Sequence, residues 1–461
     1  MEFVNHTPFP AQAFEGIDQH AQSFHVLVVR QTLDFASGTL EYASIQAPLC
    51  EVDEFFGKPN ASSARQESDF CHYKPKCDVI VNATAHVPQG QATRRLHVRL
   101  SVKRPSAGDT TPGSRVDVEA EHQLVDKLLV VTGARQLKRK WWTTRAAQQL
   151  IRWMSFSLIR PTPWKLTEPE YFDALPLRNE FAYGGECRID NGERAAKRIN
   201  GKHRLNAGQL AAHPDSGLPE ASQPALHISY DRNPVGIGFA LGAALSATKT
   251  RRIPAPRIEP YDAPFTAKSL WQGTRATLEL EPAGMGIRPK SHPSRRSLIG
   301  TVDDAFIQGT APLPEDFDFA VWNAAPADQQ TELLRGDEFI ELTNLTPPGC
   351  RQTTQDVFGN TTLRLPLPRH DCFALVRLED GLMFEHSLAI DTVLIEPESN
   401  TLTLVWRGVL GIEEDAAIRV CELRMRTFEE RDAMRAEVER IKRLMAESHG
   451  GAAPPPSPVE T

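Results

Sequence analysis

Three carboxylates lie within four positions of the sequence PLPEDFDFAVWNAAPADQQ, which runs from 312 to 330. They belong to Glu315, Asp316 and Asp318. Paired carboxylates can act as acid and base in glycoside hydrolysis, and side chains two positions apart on an extended chain lie on the same face. Asp316 and Asp318 are therefore the candidate acid pair of a hydrolase.

The same segment also fits a purely structural interpretation. Asp and Pro at this density form turns, and Asp is a preferred N-cap of helices. In that interpretation Pro312 and Pro314 stiffen the entry to the segment, while Phe317, Phe319 and Trp322 anchor it to the core. The two interpretations stay open at this point.

The other short motifs predict neither a cofactor nor a metal. NPVGIGF, at 233–239, lacks the third glycine of a nucleotide-binding fingerprint, and we expect a tight turn that uses Gly236 and Gly238. CHYKPKC, at 71–77, does not have the ligand spacing of a zinc site. Seven cysteines, an odd number scattered over a long chain, indicate reduced thiols rather than a disulfide framework.

Charge and hydropathy exclude several classes of function. The chain has 52 Lys plus Arg against 59 Asp plus Glu, a formal charge of −7, which argues against a nucleic-acid partner. MEFVNHTPFPAQAF, at the N-terminus, lacks the pattern of a secretory signal. The longest nearly apolar run, VGIGFALGAALSA, is shorter than the ~20 residues of a spanning helix. We therefore predict a cytoplasmic protein without stable membrane insertion.

The elements that must position any site are mostly strands. Short β-branched segments separated by Gly, Pro, Asn or Ser dominate the first third of the chain and return after Thr301. In RRLHVRLSV, apolar and polar residues alternate, which favours an antiparallel sheet with one solvated face. We predict a mainly β, β-sandwich-like protein of antiparallel sheets in two β-rich halves, with a few helices.

Composition changes along the chain predict four regions, since 461 residues exceed what one core usually supports. They are an N-terminal β-rich domain (1–135), a Trp-rich helical segment with an irregular connecting region (136–300), a C-terminal β-rich domain (301–427), and an amphipathic helix with a disordered tail (428–461).

Two segments could contact a partner. Residues 137–164 contain four of the seven tryptophans, and a helix from about 144 to 158 fits the pattern. That helix could pack on the sheet, present a docking surface or bind a membrane surface. In the C-terminal helix, apolar residues recur at helical spacing and form one stripe. The candidate partner contacts are Trp141, Trp142, Trp153, Met434, Val438, Ile441 and Met445.

Several long motifs follow one another in order: EPEYFDALPLRNEFAYGG, NPVGIGF, GTVDDAF, PLPEDFDFAVWNAAPADQQ, LLRGDEFIELTNLTPPG and LTLVWRGVL. This set resembles a bacterial family of unknown function associated with type VI secretion, whose members are regarded as adaptors or chaperones of toxic effectors. ESDFCHYKPKCDVIVNATAHVP extends the resemblance, which covers roughly residues 1–427 and supplies no nucleophile or metal ligands. The signature positions are Gly184, Gly185, Asn233, Pro234, Gly236, Pro314, Asp316, Phe317, Asp318, Gly336, Glu338, Trp406 and Arg407.

The resemblance implies a non-catalytic adaptor that binds a cognate effector toxin in the cytoplasm and helps load it onto the spike and spike-tip proteins. Two alternatives remain. One is a carbohydrate-active hydrolase that uses Asp316 and Asp318. The other is a structural component of the spike itself. The Trp-rich segment and the helix after 427 depart from the family pattern, so partner choice could reside there.

Overall fold

The computed structural model describes residues 1–59, 61–88, 92–105, 121–140, 164–189, 226–248, 250–302, 304–309, 312–351, 353–411 and 417–449. The helix predicted over about 144–158 lies outside these ranges, as do Trp141, Trp142 and Trp153.

Strands predominate in the described residues. In chain order they are β1 Glu2–Asn5, β2 Ala11–Ile17, β3 Ser23–Asp34, β4 Glu41–Tyr42, β5 Glu54–Phe55, β6 Ala64–Gln66, β7 Cys77–Val81, β8 Thr84–His86, β9 Arg95–Pro105, β10 Glu121–Thr132, β11 Gln136–Arg139, β12 Trp164–Leu166, β13 Ala174–Pro176, β14 Tyr183–Gly184, β15 Glu186–Ile189, β16 Leu226–Ser229, β17 Ile237–Gly238, β18 Arg252–Pro254, β19 Ile258–Pro260, β20 Gln330–Thr331, β21 Phe339–Thr343, β22 Thr353–Gln355, β23 Thr361–Pro366, β24 His370–Leu378, β25 Met383–Ser387, β26 Ala389–Glu396, β27 Thr401–Gly411 and β28 Ile418–Thr427.

The helices are fewer and mostly short. The α-helices are α1 Gly242–Thr248, α2 Ala267–Thr274, α3 Pro293–Arg296, α4 Asp304–Ile307 and α5 Phe428–His449, and 3-10 turns occupy Asn179–Phe181, Phe319–Trp322, Ala327–Gln329 and Pro397–Ser399. The predicted fold class, mainly β with a few helices and a helix at the C-terminal end, is confirmed.

A seven-stranded sheet forms the centre, in the order β2-β3-β27-β26-β7-β20 with β4 also pairing with β3. All its pairs are antiparallel except β26 with β7. β3 and β27 are buried along nearly their whole length, as expected for strands covered on both faces. Strands from both ends of the chain thus pair within one sheet.

Two further sheets pack against this centre. One has six strands in the order β19-β10-β9-β21-β23-β22, and the other has four in the order β1-β28-β24-β25. In β9 the predicted alternation is present, because Leu96, Val98 and Leu100 are buried while His97 and Arg99 are exposed. The main core combines apolar side chains from all three sheets, which is the arrangement of a layered β protein.

A second, smaller core surrounds α2 and the three-stranded sheet β12-β11-β18. It contains Leu137, Trp164, Tyr183 and Phe265, and Trp164 is only 3% exposed. Of the four tryptophans in the Trp-rich segment, the one that the structure describes therefore belongs to the core. Within the described residues, no helix combines the length and apolarity needed to cross a membrane.

Candidate functional site

The acidic segment at 312–330 uses its carboxylates to hold the local backbone. Asp316 accepts hydrogen bonds from the backbone N–H and the hydroxyl of Thr301, at 2.7 and 2.8 Å. These bonds lower the pKa of Asp316. Asp318 caps the 3-10 turn Phe319–Trp322 by accepting from the Ala320 N–H at 2.8 Å. Both contacts match the structural interpretation, and neither prepares a carboxylic acid for proton donation.

Aromatic side chains fix the same segment to the core, as the structural interpretation predicts. Phe319 is 5% exposed, and it stacks on Tyr73 with ring centroids 4.3 Å apart. Phe317 meets Phe319 edge to face. Pro314 is also buried, whereas Glu315 is exposed. The proline and aromatic positions therefore determine where the two aspartates lie.

The signature glycines belong to a close crossing of two chain segments. A Cβ on Gly184 would lie 2.2 Å from the Asn233 carbonyl oxygen, and one on Gly236 would lie 2.7 Å from the Gly184 Cα. Asn233, which is 1% exposed, donates its amide to the carbonyls of Asn179 and Tyr183. Side chains larger than hydrogen do not fit at this crossing.

The NPVGIGF sequence forms the predicted turn next to that crossing. Pro234 occupies the turn before β17. Gly238 has a φ of +101°, the left-handed region that favours glycine, and Gly185 has a φ of +103°. The glycines thus serve backbone geometry at this turn.

Arg407 lies at the centre of a buried ionic network in the central sheet. Its guanidinium pairs with Asp391 of the neighbouring strand and donates to the carbonyls of Cys71 and Asp69, at 2.9 and 3.0 Å. Burial opposes the charge of Arg407, but Asp391, Cys71 and Asp69 together outweigh burial and raise the pKa of the guanidinium. The network joins β27 and β26 to the segment that precedes β7.

A second buried pair lies in the same network. The Lys74 ammonium is 3.0 Å from an Asp78 carboxylate oxygen and 2.8 Å from the Thr392 hydroxyl. Burial opposes the Lys74 charge, yet Asp78 and Asp391 raise its pKa above the ordinary value. Asp78 also accepts from the backbone N–H groups of Ala324 and Ala325. The acidic segment is thus hydrogen-bonded to the central sheet.

The remaining signature positions are also structural. Glu338 is fully buried and accepts from the Gly336 N–H at 2.9 Å and from the Arg104 guanidinium. Gly336 has a φ of +99°. Trp406 is fully buried and donates its indole N–H to Gln31 at 3.0 Å. Every one of these residues holds strands or turns together.

The candidate partner contacts on α5 have a different environment. Met434 is 53% exposed, Val438 44%, Ile441 41% and Met445 60%. The predicted helix at the C-terminal end is confirmed, and the side chains of its apolar stripe are 41–60% exposed. Sequence reasoning identified the stripe by its periodicity, and the structure supplies its exposure.

One cleft that sequence reasoning missed lies between β10 and the loops at 281–289 and 326–328. Its volume is about 630 Å³, which is in the range of small-molecule sites. Glu281 pairs with Arg232 and His292, and Asp328 pairs with Lys127. Within the described residues, Arg288 has no ion-pair partner, and burial together with Arg295 lowers its pKa. The cleft residues are distant in sequence, so no motif indicated them.

Metal ligands and thiols were the remaining candidates for chemistry in the described part of the chain. No group of three or more His, Cys, Asp or Glu there is arranged to hold a metal ion. All seven cysteines are free. Burial raises the pKa of Cys50 to about 12 and that of Cys421 to about 11, which makes these thiols poor nucleophiles.

The fold and these contacts define a class: a layered, mostly antiparallel β protein whose polar signature residues stabilise its backbone. The sequence of residues 20–407 matches a family described as an uncharacterized protein conserved in bacteria (DUF2169). The chain therefore belongs to this family. The match is shorter than the span of roughly 1–427 expected from the motifs, and it leaves β1, β2, β28 and α5 outside. No curated protein and no solved structure matches the chain.

Proposed function

We propose that this protein is a non-catalytic adaptor that binds an effector protein and helps load it onto a type VI secretion spike. The secretion assignment rests on the ordered sequence motifs. The protein-binding part of the proposal has an independent support in the structure, an exposed strand at the edge of the four-stranded sheet. That strand is the single observation that carries the proposal.

The edge strand is β25, which pairs with β24 on one side. On its other side, no strand of the described residues pairs with it. Leu382 is 59% exposed, Met383 53% and Phe384 39%. An exposed apolar strand edge is a template for pairing with another chain, and extended peptides commonly bind proteins by adding a strand in this way.

The register of β25 identifies the backbone groups that face outward. The Leu378 N–H donates to the Leu382 carbonyl, and the Leu388 N–H donates to the Cys372 carbonyl. Because hydrogen-bonded pairs alternate along an antiparallel ladder, the backbone of Phe384 points towards β24 and that of Met383 and Glu385 points away. An effector segment would pair with Met383 and Glu385.

The hydrolase alternative gains no comparable support. Asp316 and Asp318 are both engaged by backbone N–H groups, and the pKa of Asp316 is lowered, whereas a general acid needs a raised pKa. The spike-component alternative differs from the adaptor only in whether the protein stays in the assembled spike. Quantifying this chain in purified spikes separates the two.

The proposal is tested by capture of partners from cells that produce the protein, at two salt concentrations, with mass spectrometry of what co-purifies. We expect one toxin-like or spike-tip protein at near one-to-one stoichiometry. The Met383→Pro variant removes an outward N–H donor and should therefore abolish capture. It should still fold, because Pro is tolerated where the N–H of an edge strand faces solvent. Met383→Ala keeps the N–H and serves as the matched control.

Two results would overturn the proposal. Capture of no protein above background, from cells that express the neighbouring genes, would remove the adaptor function. Equal capture by Met383→Pro and wild type would exclude the β25 edge as the binding surface. The free energy of unfolding of both variants, measured with denaturant, should stay within about 0.5 kcal/mol of wild type, as for surface changes in general. A loss of capture would then not be caused by a loss of folding.

A further inference from the structure

The cleft between β10 and the loops at 281–289 and 326–328 contains an arginine, Arg288, whose charge has no carboxylate partner. Arginine stays charged in proteins, and a charge taken out of water needs a partner. Each buried lysine or arginine in the described chain forms an ion pair with a carboxylate: Arg30, Lys127, Arg135, Arg295 and Arg407. Arg288 is half-buried and forms none within the same residues.

Arg257 shows how the fold accommodates another half-buried arginine. Burial lowers the pKa of both guanidinium groups, and Arg295 lowers the pKa of Arg288 further. The rings of Phe172 and Phe181 lie beside the Arg257 guanidinium, with centroids 5.9 and 5.6 Å from its central carbon. Arg288 instead lines the open cleft. Its charge is therefore accessible to an anion that enters the cleft.

A chain of hydrogen bonds holds the Arg288 guanidinium in one orientation. Its Nε donates to the Ala325 carbonyl at 3.1 Å, and its Nη1 donates to the Ser294 hydroxyl at 2.8 Å. The Ser294 hydroxyl lies 2.8 Å from His292 Nδ1, which also accepts from the Ser294 backbone N–H. His292 Nε2 is therefore the donor to Glu281, at 3.3 Å. Arg288 Nη2 makes no hydrogen bond to any described residue, so both of its N–H groups remain for a ligand.

The loop that contains Arg288 is fixed to the central sheet, so the cleft is formed before any ligand binds. The Met285 carbonyl accepts from the Val81 N–H of β7 at 2.9 Å and from the Gln329 side chain at 2.9 Å. The Arg288 N–H donates to the Ala324 carbonyl at 2.9 Å. A site that is already ordered avoids much of the entropy that binding otherwise costs.

The other groups of the cleft select the kind of anion. The carboxylates of Glu281 and Asp328 also line it, each paired with another cation. These negative charges repel a doubly charged phosphate more strongly than a singly charged carboxylate. Ile287 is 2% exposed, Leu129 3% and Ala283 6%, and they give the cleft an apolar wall. Its volume of about 630 Å³ has room for a small molecule.

We propose that this cleft binds a small carboxylic acid in its ionised form, with the carboxylate on Arg288 and the aliphatic or aromatic body against the apolar wall. Hydrogen bonds between two ionised groups are roughly twice as strong as those between neutral ones. The proposal goes beyond the adaptor function and does not depend on it. The residues of the cleft all lie within residues 20–407, which match the family.

The test is isothermal titration calorimetry of the purified full chain with two matched pairs of ligands, benzoate with benzamide and hexanoate with hexanamide. We expect at least one acid to bind with a dissociation constant on the order of 1 mM. Its amide should bind about tenfold more weakly, because it has no charge to pair with Arg288. Inorganic phosphate, added as the dianion, should also bind more weakly than the acid.

Arg288→Gln removes the charge that holds the carboxylate. It should weaken binding of the acid about tenfold and leave binding of the amide unchanged. Arg296→Gln is the matched control, because Arg296 is exposed at the end of α3 and does not line the cleft. That variant should bind the acid as wild type does. Denaturant unfolding of both variants shows whether the change has altered folding.

A second variant keeps Arg288 and fills the space beside it. Gly284 lines the cleft, and a Cβ there would meet the Asn179 Oδ1 at 3.6 Å, an ordinary contact. Gly284→Leu should therefore fold and abolish binding of the acid and the amide alike. Gly411→Leu is its control, because a Cβ at Gly411 has no described neighbour within 4 Å and this residue does not line the cleft.

Several results would overturn the proposal. Equal affinity for each acid and its amide, or unchanged binding of the acid by folded Arg288→Gln, would exclude Arg288 as the carboxylate partner. Unchanged binding by Gly284→Leu would show that the acid binds elsewhere, and it decides the matter if Arg288→Gln does not fold. Tighter binding of phosphate than of either acid would overturn the carboxylate assignment. Binding of neither acid would remove the site.

Discussion

The central sheet and the outer elements β25 and α5 place the same kinds of residue in opposite environments. At the central sheet, the side chains of Arg407 on β27 and Lys74 just before β7 are buried, and each has a carboxylate partner. On the outer elements, charged residues lie on the surface beside exposed apolar side chains. The signature positions therefore account for the stability of the fold, whereas the outer elements supply the surfaces on which another chain could bind.

The largest effect should come from breaking the buried network. We expect Arg407→Met to lower the free energy of unfolding by about 3–5 kcal/mol, because it leaves the buried Asp391 carboxylate without its ion-pair partner. Urea unfolding measures the loss. The matched control, Arg424→Met, removes an exposed partner of Glu422 and should cost at most about 1 kcal/mol.

A double variant sharpens this prediction. Arg407→Met combined with Asp391→Leu removes both charges, and apolar replacements of a buried ion pair are often neutral. We therefore expect the double variant to recover most of the stability lost in Arg407→Met. Equal losses in the single and double variants would mean that the Arg407 bonds to the Cys71 and Asp69 carbonyls, rather than its charge pair, stabilise the sheet.

The next effect is a dependence of stability on pH. Burial among aromatic rings lowers the pKa of His370 from 6.5 to about 4. Between these two values the unfolded chain binds more protons than the folded one, so stability is full above pH 6.5 and is lost as the pH falls towards 4. At 1.36 kcal/mol per unit, the loss is about 3 kcal/mol.

His370→Phe tests the assignment. This variant lacks the titrating ring, so the change in unfolding free energy between pH 7 and pH 4 should shrink by about 3 kcal/mol. His20→Gln, at an exposed position, is the control and should keep the wild-type slope. Some slope will remain, because burial also lowers the pKa values of His72 and His386. An unchanged slope in His370→Phe would contradict the prediction.

A smaller effect on stability is expected at the acidic segment, where the carboxylates are exposed but accept hydrogen bonds from the local backbone. Asp318→Ala removes the N-cap of the 3-10 turn Phe319–Trp322 and should cost about 1 kcal/mol. Glu315→Ala, at an exposed neighbouring position, should change stability by less than about 0.5 kcal/mol. Equal effects in the two variants would show that the cap contributes nothing to stability.

Local features of this chain could be predicted from sequence, and long-range partners could not. The alternation in β9, the turn at NPVGIGF and the periodicity of α5 all depend on neighbouring residues. By contrast, Arg407 pairs with Asp391 through the register of β26 and β27. Asp316 bonds Thr301, and Lys74 reaches Thr392 across more than 300 positions. Such contacts depend on which strands pair, and no local motif specifies that.

The smallest effect on stability should come from removing most of α5, and it tests the comparison most directly. A chain that ends at Asp432 keeps Phe428 in the core and the Thr427–Glu430 capping bonds. Its unfolding free energy should lie within about 0.5 kcal/mol of the full chain, because the side chains of residues 433–445 are exposed. Phe428→Ala is the matched contrast and should cost about 3–5 kcal/mol. A large loss in the shortened chain would mean that α5 stabilises the body directly, and the distinction between a stabilising interior and a separate binding helix would fail.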